Sequence, residues 1–269
     1  MRGFGFFNLG ENFFMYFWSM TKVVLLGAGN LAFHFYRQFM QSDEINLIQW
    51  YNRSLKKVDF AKNKLAVTNQ ISQLKTADLY LICVSDDAIE TVSENIQSEG
   101  LIAHCAGGVP LNRLQGSSRR AVFYPLQSFT KERDLSFENL PFCIETSHPN
   151  DQPLLKNLAK SLGGDPHLFN SENRALIHMI AVFINNFGNH ILHLVSEISK
   201  KHNIPFHFFN LLINETYQKA IDIGPENSQT GPAIRQDKKT IYKHLEMLKD
   251  QNLKNLYLNL TSSIQKNES

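Results

Sequence analysis

A short apolar run that ends in closely spaced glycines constrains this chain more than any other feature. Residues 22–26 read Lys-Val-Val-Leu-Leu and continue into Gly27-x-Gly29-x-x-Ala32, after which the pattern becomes helical. Gly27 permits a tight turn, Gly29 lets the backbone approach a diphosphate, and Ala32 replaces a third glycine where helix and strand pack. The phosphates would lie at the helix N-terminus, where unpaired N–H groups favour anions. The alternative is a small-residue turn that packs and binds nothing; otherwise the segment predicts a dinucleotide site formed by Gly27, Ala28, Gly29, Asn30 and Leu31.

The composition is that of a soluble globular protein. The chain has 269 residues, 43% hydrophobic and 19% charged, which is enough for one large or two ordinary domains. A formal net charge of +2 from scattered basic residues argues against a nucleic-acid partner. Cys83, Cys105 and Cys143 are far apart in apolar runs, so neither a disulfide framework nor a metal site is predicted. We therefore expect a cytoplasmic protein that binds no metal.

Residues 1–19 do not share the pattern of the rest of the chain. Their apolar stretch, residues 13–18, is shorter than the roughly 20 residues that a membrane span needs. Polar residues and a glycine at positions 8–12 interrupt any signal-peptide core. We interpret residues 1–19 as a non-structural extension, with translation starting either at Met1 or at Met20, and expect no membrane partner; the alternative is a weak anchor at a membrane surface.

The end of the second expected strand, residues 45–51, bears on the choice of cofactor. Asn52, Arg53 and Ser54 follow it and begin 25 residues past Gly27. Folds that bind NAD carry an acidic residue near this position for the ribose 2′-hydroxyl, but no Asp or Glu is present here. Arg53 with Ser54 can instead hold a 2′-phosphate through charge-assisted contacts. The sequence thus predicts NADP, and a solvated basic loop is the alternative.

Two further strand ends are expected to border the cofactor, because ligands of open α/β sheets lie at the carboxyl ends of the strands. Residues 78–84 form a nearly continuous apolar run, typical of a central parallel strand, and residues 101–105 form another. A glycine pair after the second run permits the close approach of a nicotinamide. Asp86 is the acidic residue that follows the first run, and its alternative role is to cap the next helix. The expected cofactor contacts are Val84, Ser85, Asp86, Ala106 and Gly107.

The order of elements predicts an α/β fold with two domains. Strands and helices alternate up to residue 170, which indicates a Rossmann-type doubly wound sheet over residues 20–170. Residues 171–269 contain only helical patterns, so we expect an all-helical C-terminal domain.

A polar stripe runs along the first long helix of that domain. At about 100° per residue, His178, Asn185, Asn189 and Ser196 fall within roughly 20° of one direction. We expect this stripe to border the cleft between the two domains, with His178 as a catalytic proton donor and Asn185 as a hydrogen-bonding partner of the substrate. The alternative is a packing histidine on a face that meets water. The opposite, buried face is expected to consist of Ile180, Phe183, Ile184, Phe187, Ile191, Leu194 and Ile198.

A turn between later helices, residues 229–237, is the other candidate for a substrate site. Thr230 and Arg235 are the expected contacts, because a planar guanidinium suits a carboxylate or a phosphate. A structural pair between Arg235 and Asp237, with Asp237 capping the next helix, explains the same residues without a ligand.

Taken together, these motifs resemble a known group of bacterial Rossmann-like proteins that carry a helical domain of unknown function (number 2520) and are assigned as NADP oxidoreductases. The resemblance extends from Met20 to the C-terminal helices and is carried most specifically by residues 125–129 and 230–237. The chain is more distantly similar to pyrroline-5-carboxylate reductases and to coenzyme-F420-dependent NADP oxidoreductases, whose helical domains often form dimers. The resemblance therefore implies NADP binding, a reductase ancestry and a homodimer.

The chain also departs from related enzymes in ways that leave the substrate open. A β-hydroxyacid dehydrogenase would carry a catalytic Lys and, one turn later, an Asn, where this helix has His178 and Val182. The Gly-Ser-Gly-Pro segment of pyrroline-5-carboxylate reductases is absent from the sequence. We expect an NADP-dependent oxidoreductase that transfers hydride between NADPH and a small carbonyl or imine substrate. The alternatives are a catalytically silent NADP-binding sensor with a helical dimerisation domain, and an ordinary core that binds no cofactor.

Overall fold

An eight-stranded sheet forms the centre of the first part of the chain. The computed structural model describes residues 20–266, so the predicted extension at residues 1–19 lies outside the described residues. The strand order is β3-β2-β1-β4-β5-β6-β7-β8, and all neighbouring pairs are parallel except β6 and β7. The strands are β1 Thr21–Leu26, β2 Ile45–Tyr51, β3 Ala66–Thr68, β4 Leu79–Ile82, β5 Leu101–His104, β6 Arg120–Pro125, β7 Pro141–Thr146 and β8 Asp165–Leu168.

Helices connect the strands and then form the rest of the described chain. Some of the connections are short 3₁₀ turns, for example at Ile71–Gln73. The Rossmann-type doubly wound sheet followed by helices is thus confirmed. The helices are α1 Asn30–Phe39, α2 Ile89–Glu94, α3 Gln152–Ser161, α4 Ser171–Ala181, α5 Gly188–Lys201, α6 Asn210–Ile223, α7 Pro225–Ser228, α8 Lys238–Met247 and α9 Gln251–Lys266.

The central strands are buried on both faces, which explains their continuous apolar runs. Side chains alternate between the faces, so that Val23 and Leu25 join one core cluster while Val24 and Leu26 join the other. Phe35 of α1 and residues of α3 complete the first cluster, and Ile89 of α2 belongs to the second. This packing fixes the carboxyl ends of β1, β4 and β5 side by side.

The helical segment Ser171–Lys201 differs from the expected long α-helix. Between α4 and α5, residues Val182–Phe187 form a π-helix, in which each N–H bonds five residues back. The spacing that predicts the polar stripe assumes an uninterrupted α-helix and does not apply across this turn, so the stripe stays a prediction. The described chain divides into two compact units between Asn189 and His190. The domain boundary predicted at residue 170 stays a prediction.

The predicted buried face of this segment is largely exposed, contrary to expectation. Phe183, Ile184 and Phe187 are 62%, 67% and 52% exposed. Apolar spacing identifies a face that favours contact, but the described chain does not cover it. By length and composition alone, this 31-residue segment is apolar enough to cross a membrane, since an 18-residue stretch of it has a mean hydropathy of 1.3. Its first turns nevertheless pack on the sheet, where Ser171 Oγ donates to Glu145 of β7 at 2.8 Å.

Candidate functional site

A cavity of about 510 Å³ lies at the carboxyl ends of β1, β2, β4 and β5. Tyr51, Lys57 and Cys83 also contribute to its wall, although the sequence did not single them out as site residues. Ser54 and Gly107 are the two expected cofactor contacts that do not line it. Those that do are Gly27, Ala28, Gly29, Asn30, Leu31, Asn52, Arg53, Val84, Ser85, Asp86 and Ala106.

The turn after β1 requires glycine at one position and leaves space at the next. Gly27 has φ +108°, and a Cβ atom there would lie 2.2 Å from the Cys83 carbonyl oxygen. A Cβ atom at Gly29 would meet no atom within 4 Å, so the backbone is open towards a ligand. Within residues 20–266, the N–H groups of Ala28, Gly29 and Asn30 have no hydrogen-bond acceptor. These amides at the start of α1 are suited to bind a diphosphate.

Side chains hold the carbonyl groups of the same turn. Trp50 Nε1 donates to the Gly27 oxygen at 2.6 Å, and Lys131 Nζ donates to the Ala28 oxygen at 3.0 Å. Asn30 Nδ2 donates to the Phe129 oxygen at 2.9 Å, so the loop after β6 also contacts the start of α1. These bonds orient the turn and leave its N–H groups available.

The loop after β2 presents two basic side chains at the cavity. Asn52 Nδ2 donates to the Ser54 oxygen at 2.8 Å and closes the loop. Arg53 and Lys57 are exposed, and neither forms an ion pair within the described part of the chain. Lys57 is one helical turn beyond Arg53 in sequence, a spacing that could have indicated its position. The two cations are suited to bind an anionic group of a ligand.

The glycine loop after β5 contacts His178 and Tyr124. A Cβ atom at Gly107 would lie 2.7 Å from His178 Nδ1 and 2.7 Å from the Tyr124 ring, so both rings pack against this backbone. Tyr124 Oη and His178 Nδ1 are 3.5 Å apart. Burial raises the pKa of Tyr124 above its ordinary value, so the hydroxyl stays protonated at neutral pH. Tyr124 was missed as a site residue because a strand tyrosine has no distinguishing local pattern.

Asn185 is not brought to this loop by any contact in the described structure. It is exposed within the π-helix, and its Nδ2 donates to Asn186 Oδ1 at 3.3 Å. The spacing that grouped it with His178 assumed an uninterrupted α-helix. Its catalytic role stays a prediction without a contact that supports it.

Arg174, one turn before His178, holds the backbone of the glycine loop after β5 in place. Its side chain is 0% exposed, and Nη1 donates to the carbonyl oxygens of Gly107 and Val109, both at 2.7 Å. Nη2 forms an ion pair with Glu145 Oε2 at 2.9 Å. Sequence reasoning missed this pair, because Arg174 and Glu145 are 29 residues apart and neither belongs to a local motif.

His104, the last residue of β5, is a buried neutral group beside this loop. Burial, followed by the charge of Arg174, lowers its pKa from 6.5 to about 3. Its Nδ1 accepts from the Ala106 N–H at 3.2 Å. The neutral imidazole of His104 and the paired guanidinium of Arg174 therefore both orient the backbone of this loop.

Thr230 and Arg235, the expected substrate contacts, lie in the second compact unit. Asp237 Oδ1 accepts from the Thr240 N–H at 3.0 Å, which is the capping role foreseen as an alternative. Hydrogen bonds from Thr240 are the main cause that lowers the pKa of Asp237, and Arg235 contributes less. Arg235 is exposed and forms no ion pair with Asp237 in the region that the structure covers. The substrate roles of Thr230 and Arg235 stay predictions.

Residues 20–266 contain no group of three or more His, Cys, Asp or Glu side chains that could hold a metal ion.

Comparison with known proteins places this geometry in a family. Residues 140–264 match the model of a domain of unknown function, DUF2520. A crystal structure of a candidate NADP oxidoreductase from Bacteroides fragilis is similar with a TM-score of 0.81 and 35% identity, covering 92% of this chain and 98% of that one. No functionally curated protein matches the sequence.

Two more distant structures share the fold. A protein from Thermotoga maritima has a TM-score of 0.71 at 21% identity and covers 91% of this chain and 97% of its own. A pyrroline carboxylate reductase from Plasmodium falciparum, solved with NADP bound, has a TM-score of 0.58 at 15% identity and covers 93% and 98%. With the matching domain model and 35% identity across nearly the whole Bacteroides protein, the chain belongs to the DUF2520 family.

Proposed function

We propose that this protein is an NADP-dependent oxidoreductase that transfers a hydride between NADPH and a small carbonyl or imine substrate. The observation that carries the proposal is the cavity after β1, where unpaired amides at the start of α1 meet two basic side chains after β2. The similarity to a candidate NADP oxidoreductase and the NADP bound to the distant reductase support the same cofactor.

The residues around the cavity fit a dinucleotide. The amides of Ala28, Gly29 and Asn30 would hold the diphosphate, and Arg53 and Lys57 would hold the 2′-phosphate that distinguishes NADP from NAD. The remaining cavity residues, with Gly107 and Ser54 as outer contacts, would enclose the sugars and the nicotinamide. When bound, the dinucleotide supplies the hydride chemistry, and the protein supplies position and protons.

His178 and Tyr124 would move the proton in this reaction. Both rings pack against Gly107, and a proton held on the Tyr124 hydroxyl or on the His178 imidazole can pass to a substrate oxygen or nitrogen beside the loop. Thr230, Arg235 and Asn185 remain proposed substrate contacts. We expect His178→Gln and Tyr124→Phe to lower turnover about a hundredfold or more while nucleotide affinity is retained.

Cofactor selectivity tests the proposal directly. We expect Arg53→Ala to weaken NADPH binding tenfold or more and to change NADH binding little, because one charge-assisted contact to the 2′-phosphate is lost. Lys57→Ala should act in the same direction. Lys56→Ala is the matched control, since Lys56 is also exposed but does not line the cavity. Calorimetric titration of each variant with both nucleotides is the measurement, and a parent protein that binds neither nucleotide would refute the proposal.

A silent NADP-binding sensor is the second candidate, favoured by the exposed apolar side chains that suit an assembly surface. A screen of oxo acids, aldehydes and cyclic imines, monitored by NADPH absorbance, separates the two. Tight NADPH binding without oxidation by any compound would favour the sensor.

We further propose that the protein is a homodimer through its helical half and is located in the cytoplasm. Exposed apolar side chains on the π-helix and on α6, such as Ile184 at 67% and Leu211 at 83%, support contact with a second copy. The unjoined thiols of Cys83 and Cys105, 3.5 Å apart, suit a reducing compartment. Sedimentation of the parent protein and of Ile184→Glu tests the dimer, and co-sedimentation with lipid vesicles tests the membrane alternative.

A further inference from the structure

In the glycine loop after β5, three carbonyl groups accept hydrogen bonds, whereas the N–H groups of residues 107–109 are free. Arg174 Nη1 donates to the oxygens of Ala106, Gly107 and Val109 at 3.3, 2.7 and 2.7 Å. The N–H groups of Gly107, Gly108 and Val109 have no acceptor among residues 20–266. These three consecutive N–H groups are therefore available to bind a ligand.

The loop is rigidly supported in this arrangement. Arg174 is fully buried, and its other nitrogen, Nη2, bonds to Glu145 at 2.9 Å and to Ser171 Oγ at 3.2 Å. Ser171 Oγ also accepts from the Leu111 N–H at 3.1 Å, so the far end of the loop is held by the same helix. Donors fixed in advance bind a ligand without the loss of freedom that ordering a mobile loop entails.

The number of donors indicates the chemistry of the ligand. A neutral carbonyl oxygen has two lone pairs, whereas a carboxylate offers about four acceptor sites on two oxygens. Successive backbone N–H groups also form concave sites that favour anions. Gly107 is buried, so leaving its N–H group without a partner is unfavourable. These amides suit a carboxylate better than a neutral group.

We infer that the N–H groups of Gly107, Gly108 and Val109 bind a carboxylate of the substrate, which makes the substrate a small oxo acid or imino acid. The inference rests on the proposed function, since it names the substrate class of that same site. His178 and Tyr124 pack against Gly107, so a carboxylate held here places the neighbouring carbonyl or imine carbon beside the proposed proton donors. Neutral aldehydes and ketones lack the group that this loop binds.

Amide NMR of the full-length, ¹⁵N-labelled protein tests the inference with matched probes. With saturating NADPH present, we expect propanoate to shift the signals of Gly107, Gly108 and Val109 saturably. Propanamide, which has nearly the same shape without the charge, should leave them unchanged. Equal shifts from both probes, or no saturable shift from propanoate, would overturn the inference. It would also be overturned if NADPH alone shifts all three signals and propanoate then fails to bind, because the nicotinamide amide would be the true partner.

A donor deletion gives an independent test. Val109 precedes Pro110, so its backbone is already biased towards the extended region that proline adopts. Val109→Pro removes one N–H group, and we expect it to weaken propanoate binding roughly tenfold. Val109→Ala retains the N–H group and is the control, which should bind as the parent does. Equal losses in both variants would contradict the inference; should Val109→Pro not fold, the comparison of propanoate with propanamide on the parent protein decides alone.

The same spectra keep the two proposals separate. NADPH should shift the signals of Ala28, Gly29 and Asn30 at the first glycine turn. If these signals do not respond to NADPH although propanoate binds at Gly107–Val109, the proposed function fails and carboxylate binding stands. If they respond and propanoate does not bind, only the inference about the substrate fails.

Discussion

The two glycine loops, after β1 and after β5, offer free N–H groups in the same way but are built differently. At the first loop the donors belong to the start of α1, and the carbonyl groups of Gly27 and Ala28 are held by Trp50 and by the partly exposed Lys131. At the second loop no α-helix begins, and the fully buried Arg174, from 65–68 residues further along the chain, holds three carbonyl groups. The first loop is formed mainly by local sequence, and the second depends on a distant buried cation.

The largest difference between the loops should appear when the cation that supports each one is removed. Arg174→Met leaves the partly buried Glu145 carboxylate without its ion pair, and we expect a loss of about 3–5 kcal/mol in the free energy of unfolding. Lys131→Met at the first loop should cost only about 0.5–1.5 kcal/mol, the contribution of one hydrogen bond. Urea denaturation of both variants is the measurement.

A second change distinguishes loss of the cation from loss of packing at Arg174. In the double variant Arg174→Met with Glu145→Gln, the unpaired charge is gone, so part of the stability should return. Equal losses for Arg174→Met and Lys131→Met would show that the second loop does not depend on its buried cation more than the first.

Two glycines of the first loop should respond differently to the same substitution. Gly27→Ala places Cβ 2.2 Å from a backbone oxygen at φ +108°, and we expect a loss of about 1–3 kcal/mol in stability together with loss of NADPH binding. Gly29→Ala meets no protein atom and should stay within about 0.5 kcal/mol of the parent, yet bind NADPH more weakly. Thermal denaturation with and without NADPH measures both effects. A Gly29→Ala protein with unchanged NADPH stabilisation would argue that no ligand approaches this backbone.

The last expected effect is negligible at neutral pH and grows with acid, and it concerns stability beside the second loop. Folded His104 has a pKa of about 3 against 6.5 for a free histidine, so between these values the unfolded chain binds a proton that the folded chain does not. His104 therefore lowers stability as the pH falls from about 6.5 towards 3, by about 1.4 kcal/mol per pH unit at most. His104→Asn retains an acceptor for the Ala106 N–H but cannot be protonated, so its stability should fall less steeply in this range. Urea denaturation at pH 4, 5, 6 and 7 compares the slopes, and identical slopes would mean that His104 titrates normally.

Much of the first loop could be predicted because its parts are contiguous. Strand, glycine turn and helix follow one another within residues 21–39, so the pattern of residue types was sufficient. Lys57 was missed there, although its spacing of one helical turn from Arg53 separates it from the neighbouring Lys56. At the second loop the glycine pair and His178 were identified, whereas Arg174, Glu145 and Tyr124 were not. Polar residues that pair across distant elements leave no periodic signal.

The long helical segment shows where spacing arguments fail. Its apolar residues predicted a buried face, but Phe183 and Ile184 are exposed, because periodicity indicates that a face favours contact without indicating what provides it. The stripe that joined His178 to Asn185 assumed one helical period, and the π-helix at Val182–Phe187 changed that period.

By itself, the sequence determined the doubly wound sheet, the glycine turn after β1 and the absence of an acidic residue after β2. Each of these features depends on consecutive residues, whose identities and backbone preferences act locally. Only the tertiary structure decided that Arg174 and Glu145 meet beneath the second glycine loop and that Tyr124 joins His178 beside it. A buried ion pair forms where packing excludes water from two distant side chains, and that exclusion is a property of the folded core rather than of any short stretch of sequence.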